Sequence, residues 1–121
     1  MSETTPAYKV IEEHMSEAEL LTTVIALAQR LGWMVSHFRA SRTLTGWATP
    51  VQGDKGFPDL VLARGGRTDR DGRLLFLELK SEKGKMAEEQ TRWRGELYSA
   101  GAVVYVIRPR DLDWVREVLL P

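Results

Sequence analysis

Two strand-like segments joined by a turn-rich connection place the strongest constraint on the fold of this 121-residue chain. The first segment covers about residues 59–64 and the second about residues 73–80. The connection, residues 65–72, contains three glycines and two aspartates, so we predict a hairpin. A helix is predicted over residues 86–100, and a continuous apolar run over residues 103–107 is typical of a central strand buried on both faces. This order predicts a right-handed crossover that makes the second and last strands parallel.

The residues before the hairpin predict one further helix and one further strand. Ser16 and Glu19 have the spacing of a capping box, apolar residues follow at helical spacing, and Gly32 ends the helix. Residues 33–38 have strand character. Residues 39–57 contain several glycines and prolines with little periodicity, so we predict a long loop.

A short last helix after Pro109, capped by Asp111, completes the order αβββαβα. We therefore predict an α/β fold with a mixed sheet flanked by helices. Residues 1–15 are expected to be a loosely held, flexible N-terminal tail, and residues 16–121 a single domain, because a chain of this length buries one core. Three tryptophans are expected in that core: Trp33, Trp93 and Trp114.

The composition excludes several classes of protein. The chain has no cysteine, which rules out disulfides and thiolate metal sites. No apolar run approaches the roughly 18 residues of a membrane span, so we expect no membrane association. The formal net charge is zero, so the overall charge does not indicate a polyanionic partner. We expect an intracellular protein.

The ends of the two hairpin strands supply charged residues suited to phosphodiester hydrolysis. Side chains two apart on a strand share a face, so Glu78 and Lys80 point the same way and Leu79 points into the opposite layer. Asp59 on the neighbouring strand would add a second carboxylate. Mg²⁺ prefers oxygen ligands, so Asp59, Glu78 and the Leu79 carbonyl are candidate ligands. Lys80 would orient the attacking water or stabilise developing negative charge. The alternative is a turn aspartate and a solvated strand face.

Short motifs follow one another in a specific order along most of the chain: Glu17, Gly32-Trp33, His37-x-Arg39, Gly56-Phe57-Pro58-Asp59-Leu60, Glu78-Leu79-Lys80, Gln90-x-x-Trp93 and Arg108-Pro109. Together they resemble the VRR-NUC family, the virus-type replication-repair nuclease domain of the PD-(D/E)XK superfamily. The resemblance implies a restriction-endonuclease-like fold and DNA cleavage that depends on Mg²⁺, with Mn²⁺ as a substitute. It also implies that Asp59, Glu78 and Lys80 are the catalytic core, and it favours the cytoplasm of a bacterial or phage-infected cell.

The resemblance adds two residues to the predicted site. Gln90 is the family's next polar position, and it starts a helix near whose N-terminus a phosphate or a bound water is favoured. The alternative for Gln90 is a solvent-facing helix residue. Glu17 would bring a further acid to the metal from the first helix. Glu19 competes for that role, and acids at helix N-termini are commonly dipole partners only.

Six residues are predicted to contact DNA: His37, Arg39, Ser41, Arg42, Trp47 and Lys83. Arg39 and Arg42 lie in a stretch from residue 20 to residue 53 that contains no acid, which predicts a phosphate-facing surface; a basic solvated loop is the alternative. We expect His37 to bond to the structure or to phosphate and not to act as a general base. Trp47 is expected either to be exposed, as a base-stacking or dimer contact, or to fold back on the core.

These residues predict a structure-selective DNA endonuclease. Stand-alone family members resemble phage proteins that act as homodimers on branched DNA, and resolving a four-way junction needs two coordinated cuts. We therefore expect a Holliday-junction-resolving homodimer, joined through Leu44 and Trp47 of the long loop in preference to Trp114 and Leu120 of the last helix. The alternatives are flap or nick processing, cleavage of RNA, and a DNA-binding module without activity. The catalytic residues alone do not distinguish DNA from RNA.

Overall fold

The computed structural model describes residues 6–38, 41–43, 46–48, 53–66 and 72–121, and gives only the backbone for 41–43 and 46–48. The helices in these ranges are α1 (Ala7–His14), α2 (Glu17–Arg30), α3 (Glu88–Ser99) and α4 (Leu112–Leu119), with a short 3₁₀ helix at Pro109–Asp111. The strands are β1 (Met34–His37), β2 (Ser41–Thr43), β3 (Gly46–Ala48), β4 (Leu60–Arg64), β5 (Arg73–Leu79) and β6 (Val103–Ile107).

Four of the strands form one mixed sheet in the order β1-β4-β5-β6. β1 and β5 both run antiparallel to β4, and β6 runs parallel to β5 after the crossover through α3. The predicted hairpin and the predicted parallel pair are confirmed. The prediction of a central position for the last strand is wrong, because β6 lies at the edge and Val103 is 41% exposed. An apolar run indicates that both faces are covered, and helices can cover both faces of an edge strand as well.

One face of the sheet is closely packed. Alternate residues of β4 and β5 point into this core, where α2 and α4 cover them; the buried apolar residues are Leu20, Val24, Ala28, Trp33, Leu60, Leu62, Leu75, Leu77, Leu79, Ile107, Val115 and Leu119. The other face, on the side of Phe76, is covered by α3, which has no fully buried residue. The site residues on that face are therefore held by specific polar and aromatic contacts more than by bulk apolar packing.

The start of α2 forms as predicted. The Ser16 hydroxyl accepts a hydrogen bond from the Glu19 amide at 3.0 Å, and the Glu19 carboxylate accepts one from the Ser16 amide at 3.3 Å. The helix ends before Gly32, whose φ of 91° is a left-handed conformation that favours glycine.

Three segments differ from the prediction. Helix α1 occupies residues 7–14 of the predicted tail, and β2 and β3 pair as an antiparallel ribbon inside the predicted loop. These strands have only three residues each, too few to show a periodic pattern. Asp111 precedes α4, but its carboxylate accepts from the Arg108 amide at 2.8 Å and closes the 3₁₀ turn without capping α4.

The tryptophans divide between core and surface. Trp33 is 3% exposed, as predicted, whereas Trp93 is half-buried. The prediction for Trp114 is wrong, since it is 46% exposed and packs edge-on against Tyr105 at a centroid distance of 4.8 Å. The helix geometry explains this, because α4 turns Val115 into the core and so directs the preceding residue away from it. Among the helices in the described ranges, none has the length and apolarity needed to cross a membrane.

Two arginines and a tryptophan hold the C-terminal end of α4. The Arg64 guanidinium donates to the carbonyls of Leu119 and Leu120 at 3.0 and 3.2 Å, and Trp33 Nε1 donates to the Leu119 carbonyl at 2.8 Å. Arg73 donates to the Val118 carbonyl, and both guanidinium groups lie over the Trp33 ring. The guanidinium groups donate to the last carbonyls of the helix, and their positive charge interacts favourably with the negative end of the helix dipole.

We expect Arg64→Ala to lower the free energy of unfolding by about 1–3 kcal/mol, because it removes a charged donor from the half-buried bond to the Leu119 carbonyl and from the exposed bond to the Leu120 carbonyl. Urea denaturation at neutral pH measures the change. Arg116→Ala is the matched control, since Arg116 is an exposed arginine in the last turn of the same helix. Equal losses in the two variants would contradict a specific role for Arg64.

Candidate active site

Asp59, Glu78 and Lys80 meet at one end of the sheet. Leu60 pairs with Leu77, so the register carried one residue further places Asp59 opposite Glu78. Glu78 is 2% exposed and Lys80 is 9% exposed, while Asp59 is half-buried. The strand ends thus bring two carboxylates and an ammonium into one largely enclosed position, as the alternation along β5 predicts.

The backbone of Leu79 connects β5, which carries Glu78, to the segment that carries Asp59. Its side chain is 1% exposed in the core, and its amide donates to Asp59 Oδ2 at 2.7 Å. The register carried two residues beyond the Leu60–Leu77 pair places Pro58 opposite Leu79. Proline has no N–H, so this position of the ladder offers no donor to the Leu79 carbonyl. The carbonyl is therefore suited to act as an oxygen ligand beside Asp59.

The pKa of the Glu78 carboxyl group is raised from 4.5 to about 8. Burial is the largest cause, and Asp59 adds to it through its negative charge and a shared hydrogen bond. Lys80 acts in the opposite direction, and Glu17 contributes a smaller rise. One ammonium does not compensate for the acids around it, so a bound cation would relieve the crowding of negative charge.

The donor set fits a hard divalent cation. Two carboxylates and a carbonyl are all oxygen ligands, which Mg²⁺ prefers, and Mg²⁺ keeps several waters when few protein ligands are present. In the part of the chain that the structure describes, no group of three or more histidine, cysteine, aspartate or glutamate side chains is arranged to hold a metal ion. Asp59, Glu78 and the Leu79 carbonyl are candidate ligands because of their oxygen chemistry and their place at the strand ends.

Gln90 contacts Glu78 directly. Its Nε2 donates to Glu78 Oε1 at 2.8 Å, while its Oε1 accepts from the Ala87 amide at 2.9 Å. The same side chain therefore closes the first turn of α3 and fixes one oxygen of the buried carboxylate. The alternative of a solvent-facing Gln90 is wrong, because the side chain is half-buried and bonded at both ends.

Glu17 lies near the same charges, at the first residue of α2. Partial desolvation raises the pKa of its carboxyl group, Lys80 lowers it and Asp59 raises it. The residue as a whole is exposed, and the effects of the two neighbouring charges place its carboxyl group close to Asp59 and Lys80. Glu19 is engaged in the capping box, which favours Glu17 as the acid that faces the site.

Arg108 also lies in this region, although the sequence motifs predicted no role for it. Its guanidinium donates to the carbonyls of Ser81, Glu82 and Gly84 at 2.6, 3.2 and 2.7 Å. These carbonyls form the turn that follows Lys80, so Arg108 fixes the chain as it leaves the site. In the sequence, Arg108 stands before a proline at the end of β6. This position does not indicate a contact with residues more than 20 positions earlier in the chain.

The predicted DNA contacts lie around the same end of the sheet as far as the structure describes them. His37 is half-buried, ends β1 and pairs with Leu60, next to Asp59. Lys83 is exposed in the turn after β5. Four of the predicted contacts have side chains outside the described part of the chain: Arg39, Ser41, Arg42 and Trp47.

Aromatic rings join the loop before Asp59 to α3. The Phe57 ring packs edge-on against Phe38, Phe76 and Trp93 at centroid distances of 5.4, 5.9 and 5.0 Å. Trp93 Nε1 donates to the Asp54 carbonyl at 3.1 Å. The loop and the helix are thus tied together beside the carboxylates, an arrangement that sequence periodicity does not reveal.

An α/β fold with a mixed sheet, in which two carboxylates and a lysine lie at the ends of adjacent strands, is consistent with a nuclease domain. The chain belongs to the VRR-NUC family, since the model of the VRR-NUC domain matches residues 8–111 of its 121 residues. The predicted family and fold class are confirmed. Family membership implies a nuclease with DNA as its substrate. Searches of curated proteins and of solved structures found no match to the chain.

Proposed function

We propose that this nuclease is a divalent-metal-dependent, structure-selective DNA endonuclease. The observation that supports it is the buried Glu78 carboxylate beside Asp59 and Lys80, with the pKa of Glu78 raised to about 8. Asp59, Glu78 and the Leu79 carbonyl would hold Mg²⁺, with Mn²⁺ as a substitute, and Glu17 would add an acid at the edge of the site. When bound, the ion supplies a water of lowered pKa and offsets charge on the phosphate.

The protein's own residues then have distinct tasks. Leu79 fixes Asp59 through its amide, and Gln90 fixes Glu78 through its side-chain amide. Lys80 follows β5 on the same face as Glu78, and its positive charge acts on the carboxyl groups of Glu78 and Glu17. Its burial leaves little competing water around the ammonium. We assign Lys80 to stabilise negative charge that develops on the phosphate, or to orient the attacking water.

Lys80→Ala should reduce turnover by about 10²-fold, because it removes one fixed positive charge from the reacting phosphate. Binding of Mg²⁺ and of DNA should persist, since Lys80 supplies no ligand oxygen. Single-turnover cleavage and calorimetric titration with the metal measure the two properties. Lys85→Ala, an exposed lysine five residues later to which no DNA contact is assigned, is the control for a general loss of positive charge. Loss of metal binding in Lys80→Ala would contradict the assignment.

The DNA would approach across the end of the sheet that holds the site. β1 ends there at His37, and the β2–β3 ribbon continues from it in the chain. We propose that the ribbon and its flanks bind the backbone of DNA through Arg39, Ser41 and Arg42, with Trp47 stacking on a base. His37 and the exposed Lys83 would contact phosphates on either side of Asp59 and Glu78.

The double variant Arg39→Ala, Arg42→Ala should weaken DNA binding and make the slope of log affinity against log salt shallower by about 2. The reason is that the variant makes two fewer phosphate contacts, so fewer counterions are released on binding. Fluorescence anisotropy at several salt concentrations measures the slope. The control is Arg92→Ala, Arg94→Ala, which removes two exposed arginines from α3. An unchanged slope in the ribbon variant would show that Arg39 and Arg42 do not face phosphate.

We propose further that the active form is a homodimer that resolves four-way junctions. One chain holds one site, whereas junction resolution needs two cuts related by two-fold symmetry. Leu44 and Trp47 of the ribbon region remain the first proposed contact, although their side chains lie outside the described residues. Trp114 and Leu120, which are 46% and 38% exposed, are the second. We place the protein in the cytoplasm of a bacterial or phage-infected cell.

A panel of end-labelled substrates tests this function: a four-way junction, a flap, a nicked duplex, a linear duplex and matched RNA. The expected result is paired, symmetric nicks in the junction with Mg²⁺ or Mn²⁺ and none with a chelator, together with a dimer mass at the working concentration. A monomer that cuts flaps or nicks would support those substrates instead. Cleavage of the RNA, or binding to DNA without cleavage, would support the remaining alternatives.

A further inference from the structure

We infer that Gly56 is a positioning residue for the active site. Its missing side chain lets the loop before Asp59 lie directly against the first turn of α3, and this contact sets the Gln90–Glu78 hydrogen bond. The effect on cleavage rests on the proposed metal-dependent function, whereas the effect on the hydrogen bond does not.

The approach of the loop to α3 at Gly56 is too close for any other residue. A Cβ atom on Gly56 would lie 2.6 Å from the carbonyl carbon of Glu89, 2.7 Å from its oxygen and 2.8 Å from the amide nitrogen of Gln90. All three are backbone atoms, which cannot rotate away as the end of a side chain does. Alanine at this position therefore has to displace either the loop or the helical turn.

The neighbouring contacts limit where the displacement goes. Phe57 packs against Phe76 of the sheet as well as against Trp93, and Trp93 Nε1 holds the Asp54 carbonyl. Phe57 thus fixes the loop to the sheet, whereas the bond from Trp93 to Asp54 ties the loop to α3 itself, and α3 has no fully buried residue to hold it against the sheet. The turn containing Glu89 and Gln90 is the part that moves.

Movement of this turn reaches Glu78 through one side chain. Gln90 bonds the Ala87 amide within its own turn and Glu78 Oε1 across to β5. When the turn moves, the bond within the turn moves with it, and the bond to β5 lengthens or breaks. Glu78 is 2% exposed, so little water is available to replace the lost donor.

Gly53 provides a matched control. Gly53 and Gly56 have φ values of 100° and 96°, so alanine strains the two backbones in the same way. Among the residues that the structure describes, a Cβ on Gly53 would meet nothing within 4 Å. Differences between Gly56→Ala and Gly53→Ala therefore report the contact with α3 and not the backbone conformation.

The direct measurement is the side-chain amide signal of Gln90 in metal-free protein, identified in NMR spectra by its absence from Gln90→Ala. We expect Gly56→Ala to move this signal to the position of an unbonded glutamine amide, and Gly53→Ala to leave it unchanged. A signal unmoved in folded Gly56→Ala would overturn the inference. If Gly56→Ala does not fold, Trp93→Phe, which removes the bond to Asp54, should move the signal in the same direction, and no movement there would overturn it equally.

Calorimetry with Mn²⁺ and cleavage kinetics give the functional consequence. Gly56→Ala should weaken metal affinity and lower kcat by about tenfold each, the usual effect of losing a partner of a metal ligand, with KM for DNA unchanged. In a Gln90→Ala background, Gly56→Ala should have no further effect, because its route to Glu78 is already removed. An undiminished effect in that background would overturn the route through Gln90. If the wild type binds no metal, the proposed function is refuted. The inference about Gly56 then depends on the NMR result and is not refuted by the missing metal.

Discussion

Asp59→Asn should lower the rate of DNA cleavage by at least about 10³-fold while the fold stays intact. Asparagine keeps a side-chain oxygen that can accept from the Leu79 amide, which Asp59 Oδ2 does at 2.7 Å. It removes the negative charge on which the proposed ion depends. Single-turnover cleavage of a junction in saturating Mg²⁺ measures the loss, and urea denaturation checks the fold.

Asp54→Asn is the matched control for this variant. Asp54 lies five residues earlier in the same loop and is exposed. In the described hydrogen bonds, its backbone carbonyl contacts α3 and its side chain does not. Its replacement should leave the cleavage rate within about twofold of the wild type, as is usual for a surface residue away from the site. Activity of Asp59→Asn near that of the control would remove Asp59 from the site.

Glu78→Gln should abolish cleavage and, in metal-free buffer above about pH 8, make the protein more stable than the wild type. The folded state holds a proton on Glu78 up to about pH 8, whereas the unfolded chain releases it near 4.5. Between these values the folded state binds more protons than the unfolded state, so the stability of the wild type falls as pH rises. Glutamine is neutral throughout, so the variant avoids this loss, which we expect to be on the order of 1–3 kcal/mol.

Urea denaturation at pH 5, 6.5 and 9 in a chelator measures this effect. Glu96→Gln, which changes an exposed acid on α3, should retain the pH dependence of the wild type. Addition of Mg²⁺ at pH 9 should stabilise the wild type and leave Glu78→Gln unchanged, since only the wild type has the second carboxylate. Identical pH dependence in the wild type and Glu78→Gln would show that Glu78 titrates as an ordinary surface acid.

Local patterns in the sequence predict much of this site because it belongs to one hairpin. Alternation along β5 is sufficient to place Glu78 and Lys80 on one face and Leu79 in the core. The turn-rich connection then brings Asp59 next to them. The metal ligands proposed here therefore depend on neighbours in sequence and on one pair of adjacent strands.

The parts that sequence did not predict depend on contacts between distant segments. The backbone of Gly56 touches the turn at Gln90, more than 30 residues later, and no periodicity reports such an approach. The apolar run of β6 indicates two covered faces and says nothing about which strands lie beside it. Trp114 was also predicted incorrectly, because its apolar character indicates burial. The rotation of α4 about its axis decides which residue faces the core.

The hydrogen bond from the Leu79 amide to Asp59 has a consequence for deuterium exchange. At this position the amide proton is shielded by a side-chain carboxylate and not by a strand carbonyl. A cation bound to Asp59 draws electron density from the oxygen that holds this proton and so changes its protection from solvent. The exchange rate of one backbone amide in β5 therefore reports whether the site is filled, without a label, a substrate or a cleavage reaction.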